Sequence, residues 1–572
     1  MKTMSGSTLR KLLPVGAMAL AASLAPKPAQ ACGGFFCSAT NPVNQSAERI
    51  IFAKNSDATV TAIIEILYQG PSTSFSWLLP ISGVPMGKDI GVASNVAFQR
   101  LQQATNPQYN LTLRVEGTCD ERMDFNQSRG GPTAGGAVTP SVDLSNGADD
   151  MGVTVEASGI VGSFEFAVIS LDPKLTSPAD AAVTWLGDNG YDVPQGAPGL
   201  LGPYLQDGLN LLALKLKKGA DVGSIRPIVL TYPADKPMIP IKLTAVAAND
   251  DMGVLTWLLG DARAVPENYN ALELNEARIN WFSASTNYNQ VVTAAADDAG
   301  GQGFVTEEAG PTSALASAVW QPGEEQQWQQ LQGLSGTQAY NQAVNMYAQF
   351  DGFWDVVAEH VTLPAGLTID QLKQCPYCNQ NLEADSGFVA ALDAGVIEPI
   401  KLVQELIDSH PQITRLYTTM SAAEMTVDPL FTFNSDLQAV NNVHTAERVI
   451  ECAPGYYQEE APWRIELPQG GIIRGGPSDV GTWPTSFASQ PPNRLIMRQG
   501  ASGKGEVLED NSDEIASDLA NYSAGVSTPP RRAGASSSLF GDCSTSSGKP
   551  RSGSWAFALL GLSALLGRRR RH

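Results

Sequence analysis

The stretch ERIIFAKNSDATVTAIIEILYQG, residues 48–70, decides how the first half of the chain is read. Ile50 to Ala53 and Val60 to Tyr68 are runs of β-branched and aromatic residues, and Asn55 and Gly70 interrupt them at turn positions. Such runs predict buried strands joined by tight turns. The pattern continues outward. Phe75 to Leu79 is a third run closed by Pro80, Tyr109 to Glu116 a fourth, and strands resume at Val153 and at Phe164 to Leu171. Leu209 to Leu216, Ile225 to Tyr232, Ile239 to Val246 and Val254 to Leu259 read as a further series of buried strands. A short helix is expected from Pro178 to Gly187, and Gly130 to Asp150 reads as an exposed loop.

Beyond about residue 300 the period changes. Glu324 to Leu331, Ala339 to Val361 and Phe388 to Leu406 show helical spacing, and another helix is expected to start at Ser421. Trp328, Leu331, Tyr347, Phe350, Phe353 and Trp354 form an aromatic and aliphatic stripe that suits a helical core better than a ligand box. Strands return at Leu430 to Phe433 and Arg464 to Leu467. The expected fold is α+β, disulfide-stapled, with a β-rich half over 32–300 and a helix-rich half with some strands over 301–500.

Both ends read as addresses rather than as core. Lys2, Arg10 and Lys11 precede an apolar run from Leu12 to Ala25, and Ala29-Gln30-Ala31 gives a small-x-small cleavage site before Cys32. Residues 1–31 are therefore expected to be a signal peptide. Lipidation of Cys32 stays open, although Ala29 stands where a lipobox usually has leucine. At the other end, 501–543 reads as a loose stalk, rich in Ser, Gly and Pro after Pro529, and 544–572 as a tail. In that tail Trp555 to Gly567 is almost wholly apolar and Arg568, Arg569, Arg570 and Arg571 follow at once. A thirteen-residue helix reaches about 20 Å, short of a hydrocarbon core of about 30 Å. The arginines should remain cytoplasmic.

Cys543, the short apolar helix and the arginine cluster together resemble the myxobacterial C-terminal sorting signal (MYXO-CTERM). That resemblance implies cutting near Cys543 and display on the cell surface; a retained single-span anchor is the other reading. Removing four basic residues in 1–31 and six in 544–572 takes the formal net charge from −21 to −31. So acidic a protein is not built for nucleic acid, whose phosphates need a basic surface. The expected partners are an unknown extracellular or envelope component and, through the tail or a processed anchor at Cys543, the membrane.

Of seven cysteines, six remain once Cys543 is assigned to sorting. In an oxidising compartment an even number implies disulfides, with several connectivities open. Spacing favours Cys32 with Cys37, Cys375 with Cys378, and one long tie from Cys119 to Cys452. Cys375-Pro376-Tyr377-Cys378 also matches the active-site tetrapeptide of glutaredoxin-like proteins. A thiol–disulfide oxidoreductase using Cys375 and Cys378 is thus the alternative to a non-catalytic role. Redox chemistry would need the first thiol at a helix N-terminus, and the polar residues 369–374 before it are poorly strand-like.

No other motif implies catalysis, a cofactor or a metal. His360, His410, His444 and His572 lack zinc-ligand spacing. His444 precedes Cys452 by eight residues, but a bridged cysteine is no nucleophile. Asp149-Asp150 and Asp250-Asp251, inside a repeated Asp-Asp-Met-Gly-Val, could touch calcium but lack the remaining spaced ligands.

Several motifs resemble an exported bacterial family of unknown function, the one numbered twenty-three thirty. They are Ala31-Cys32-Gly33-Gly34-Phe35-Phe36-Cys37, Glu48-Arg49-Ile50, Phe75-Ser76-Trp77-Leu78-Leu79-Pro80 and Trp185-Leu186 with Asn189-Gly190-Tyr191. Arg415 to Met420, with Met425 and Asp428-Pro429, extends the likeness toward residue 480. The resemblance implies export and carries no catalytic residues.

Overall fold

In the computed structural model, residues 44–69, 76–85, 89–120, 152–191, 193, 196–216, 225–246 and 248–527 are described, all within one compact unit. The opening stretch forms its centre. Asn44–Lys54 and Thr59–Gln69 are antiparallel neighbours in a ten-stranded sheet. Asn44–Lys54 also runs parallel to Ala248–Gly260, which pairs antiparallel with Gln412–Met420. Ile50 and Phe52 point to one face, Ile51 and Ala53 to the other, and all four are buried. A strand covered on both faces has no polar side to show, which is why it reads as a continuous apolar run.

Each face of this sheet has its own cover. Ile51, Ile63, Leu255, Trp257 and Leu259 pack under helices Asn95–Thr105, Pro322–Gln332, Gly336–Tyr347, Phe353–His360 and Glu398–Asp408. The aromatic stripe lies here: Trp328, Tyr347 and Phe353 are fully buried. On the opposite face Ile50, Phe52, Ile64, Val254 and Leu258 meet Trp77, Leu79, Phe164, Phe166, Leu212 and Leu214 of a four-stranded antiparallel sheet. The far side of that smaller sheet is covered by helices Pro178–Asp188 and Ala197–Gln206. The layers run helix, sheet, sheet, helix. The fold is mixed α+β.

A third sheet stands at one end. Gln108–Glu116 runs parallel to Val443–Glu451, with Trp463–Glu466 and Ile472–Gly475 beyond. It packs around helix Tyr288–Asp298 through Trp281, Ala446, Trp463 and Ile465.

Three expectations are corrected. Ile239 to Val246 is not a strand but a turn of helix, Ile241–Thr244, because Pro237 and Pro240 cannot donate to a ladder and a short apolar run suits either state. Ser421 opens a turn rather than a helix, its backbone N–H bonded to the Glu424 carboxylate at 2.7 Å. Residues 501–527, read as the start of a stalk, contain strand Glu506–Asp510 and helix Ser512–Gly525. That helix is held by Ile515 and Leu519, two apolar positions a turn apart that the polar composition concealed. Strands from both sides of residue 300 share the large sheet, so the change of period there marks an insertion of helices. Residues 1–43, 121–151 and 528–572 lie outside the described residues; with them lie the signal peptide, Cys32, Cys37, the Gly130 to Asp150 loop, Cys543 and Arg568 to Arg571.

Candidate functional site

Where the end sheet meets the large one, three strands and a helix bring a set of polar and aromatic side chains together. Parallel pairing places Tyr109 beside His444, and their rings stack with centroids 4.6 Å apart and planes 13° from parallel. His444 Nδ1 lies 2.6 Å from Glu276 Oε1. Glu276 opens a short 3-10 turn, whose start is capped by the Asn275 side chain accepting from the Ala277 N–H. Trp281 meets Tyr109 edge-on at 5.1 Å.

The second half of the set depends on a β-bulge. In strand Gly303–Pro311, Thr306 pairs with Leu416 and Glu308 with Arg415, so Glu307 is the extra residue. A bulge re-aims a side chain, and here it turns the Glu307 carboxylate onto the Arg415 guanidinium and the Tyr288 hydroxyl. Glu307 and Arg415 are only 2% and 4% exposed, so the ion pair is sealed from water. Its guanidinium also donates to Gln102 O (3.2 Å) and Thr105 Oγ1 (3.0 Å). It sits 5.6 Å from the ring centroid of Trp257, its cross-strand partner. Trp257 Nε1 donates to the same Thr105 hydroxyl at 2.9 Å.

Tyr288, the first residue of its helix, has its phenol pushed well up by burial and by the Glu307 charge. Burial likewise pushes Tyr109 upward, so both phenols stay protonated donors. Burial pushes Glu308 up to about 7, with Arg415 pulling the other way. A parallel device lies nearby, where Arg49 pairs with its cross-strand partner Glu65 and donates to Gln102 Oε1 at 2.6 Å. Burial outweighs Arg49 at Glu65 and pushes that carboxyl up to about 7.

Two clefts flank this wall. One, of about 480 Å³, is lined by Gln102, Tyr109, Tyr288, Gln290, Glu307 and Arg415 among others. The other, of about 400 Å³, includes Tyr109, Arg263, Glu276, Glu307, His444 and Gln499. Pro107, Tyr109, Tyr288 and Glu307 belong to both. None of these residues was singled out from the sequence as a site residue. Only His444 had been considered, and then for a cysteine it does not serve.

The residues singled out from the sequence fall elsewhere. Cys119 and Cys452 are disulfide-bonded, Cα atoms 4.8 Å apart across 333 residues of sequence, just past the Gln108–Glu116 and Val443–Glu451 ladder. Cys375 and Cys378 are also bonded, Cα atoms 5.4 Å apart. Cys375 caps the C-terminal end of helix Ile369–Gln374. The negative end of a helix dipole disfavours a thiolate there, the reverse of what redox chemistry requires. His360 contacts Asp385, and His410 lies against the Leu406 and Lys54 carbonyls. Among the described residues no cluster of His, Cys, Asp or Glu could hold a metal, and no helix is long and apolar enough to cross a membrane.

Residues 26–316 match the profile of a family described as an uncharacterized protein conserved in bacteria (DUF2330). The chain belongs to this family. The match takes in Tyr109, Glu276, Tyr288 and Glu307 and stops well short of the residue 480 expected from the motifs; Arg415 and His444 lie beyond it. No curated protein matches. Among solved structures, two of mutated baculovirus P35 after caspase cleavage are similar, at 11% and 10% identity. Their TM-scores are 0.22 and 0.20, covering 40% of this chain and 78% and 77% of theirs. Likeness at that level carries no argument.

Proposed function

We propose that this DUF2330 protein is exported, is displayed on the bacterial cell surface, and binds an extracellular or envelope component there without transforming it. The leader-like residues 1–31 and the Cys543, apolar and arginine tail support export and display. The observation that carries the binding reading is the shared wall of the two clefts. Its ionisable groups are already spent on one another: Glu307 on Arg415 and Tyr288, Glu276 on His444. Such a wall offers a fixed shape with few free polar atoms, as small-molecule sites do, rather than a base waiting for a proton.

The test is non-reducing peptide mass mapping of the mature protein taken from cell envelopes. The reading expects a chain beginning at Cys32 and ending near Cys543, with Cys119 joined to Cys452. A chain that begins at Met1 in the soluble cell fraction would sink the export reading. One still carrying Arg568 to Arg571 would replace a processed anchor by a retained span.

A further inference from the structure

Three side-chain atoms without a hydrogen-bond partner lie in the wall of one cleft, the one of about 400 Å³. They are Glu276 Oε2, Gln499 Oε1 and Arg263 Nε. Glu276 and Gln499 are 3% and 4% exposed, so water does not satisfy them in the closed wall. A buried polar atom left without a partner is destabilising until something pairs with it. Three in one cleft of small-molecule size point to a ligand that completes them.

Their chemistry narrows the ligand. Two are acceptors and one is a donor, so the ligand must both donate and accept. A simple cation fits poorly, because the carboxylates of the cleft are engaged already: Glu273 with Arg494 at 2.7 Å, Glu276 with His444, Glu307 with Arg415. A simple anion fits no better. It would meet the carboxylate oxygen of Glu276 and the amide oxygen of Gln499, and Arg263 already spends its terminal nitrogens on Gln438 O and Thr306 Oγ1. Hydroxyl groups donate and accept at once. The rest of the wall includes Leu272, Val305 and Met497, which suits the C–H face of a ring.

We infer that the cleft bounded by Arg263, Glu276 and Gln499 binds a neutral polyhydroxylated ligand, a sugar residue of an extracellular or envelope glycan. This rests on the binding reading above and names its ligand class. Hydroxyls donate to Glu276 Oε2 and Gln499 Oε1, another accepts from Arg263 Nε, and the ring lies on the aliphatic side chains.

The experiment is saturation-transfer NMR on the mature full-length protein. The probes are methyl glucoside, methyl galactoside and N-acetylglucosamine, with glycine, putrescine and acetate beside them. Transfer is expected to at least one sugar and to none of the other three. Gln499→Leu should weaken that sugar at least tenfold, and Val440→Phe, which fills the cleft from a separate segment of the chain, should abolish it. Circular dichroism confirms that each variant is folded. Sugar binding unchanged in both variants overturns the site. Binding of putrescine, glycine or acetate in place of sugars, lost in the same variants, overturns the ligand class and leaves the binding reading standing. No binding by any probe overturns both.

Discussion

Glu308 is the residue whose behaviour separates the folded from the unfolded chain most simply. Its folded carboxyl titrates near 7 against 4.5 for the ordinary group, with burial as the main cause. Between those values the folded state keeps a proton that the unfolded state has lost. The stability it contributes is therefore present at low pH and declines as pH rises through about 7. Glu308→Gln should be more stable than the native protein at pH 8, by about 1 kcal/mol once partial exposure is discounted, and equal to it at pH 4. Thermal melts at the two pH values check this; an equal shift at both would assign the effect to packing. At Cys375 the expectation is a non-event. Cys375→Ser should leave insulin reduction at the background of the native protein, and a native rate well above background would revive the oxidoreductase reading. Spacing favoured the two cysteine pairs seen here among several open connectivities, because cysteines are few and their residue type marks them. It did not show Glu307 or Arg415, since a single Glu or Arg in a strand reads as solvent-facing until its cross-strand neighbours are known.

At the scale of elements, the central strands were legible and the wall of the clefts was not. Ile50 to Ala53 and Val60 to Tyr68 announce themselves because both faces are buried. The bulge in Gly303–Pro311 shifts register by one residue inside Thr-Glu-Glu-Ala-Gly, where no hydrophobic alternation exists to record the slip. Pairing of Gln108–Glu116 with Val443–Glu451 joins segments more than 300 residues apart, which local periodicity cannot report. Gln108–Glu116 is also an edge strand, with Leu113 59% and Val115 45% exposed, so few contacts hold it beyond that ladder and the disulfide. Replacing Cys119 and Cys452 together by serine should speed amide hydrogen exchange in 108–116 and 443–451 by at least tenfold while Asn44–Lys54 keeps its protection. Uniform loosening of all three would place the disulfide's effect on global stability. Gly117 has φ +84°, and a Cβ there would collide with the Cys452 carbonyl oxygen. Gly117→Ala should therefore lower the melting temperature, by an amount comparable with losing about 2 kcal/mol.

For the molecule as a whole, the pattern of strand-like and helical segments read correctly as α+β, and the period changes near residue 300 because helices are inserted there. The backbone pairing crosses that point: Ala248–Gly260 pairs with Gln412–Met420 over nine positions, and Asn270–Leu274 with Asn493–Arg498. A fragment ending at residue 300 would leave Ala248–Gly260 as an open edge, with Leu255, Trp257 and Leu259 keeping only helix Asn95–Thr105 of their five covering helices. Residues 32–300 expressed alone should accordingly lack near-ultraviolet circular dichroism and bind a hydrophobic dye. A sharp melting transition in that fragment would show that it is self-sufficient.

The Cys119–Cys452 bond also makes the protein a closed covalent ring with two tails. Inside the ring lie residues 120–451, among them the helical cover of the large sheet and the Gly130 to Asp150 segment. A protease that cuts once anywhere along that arc opens the ring without releasing a piece. The nicked molecule runs as one species without reductant and as two with it. If the protein is displayed outside the cell as proposed, a first cut is then damage without loss, and Tyr109, on the tail before Cys119, need not part from His444, inside the ring before Cys452.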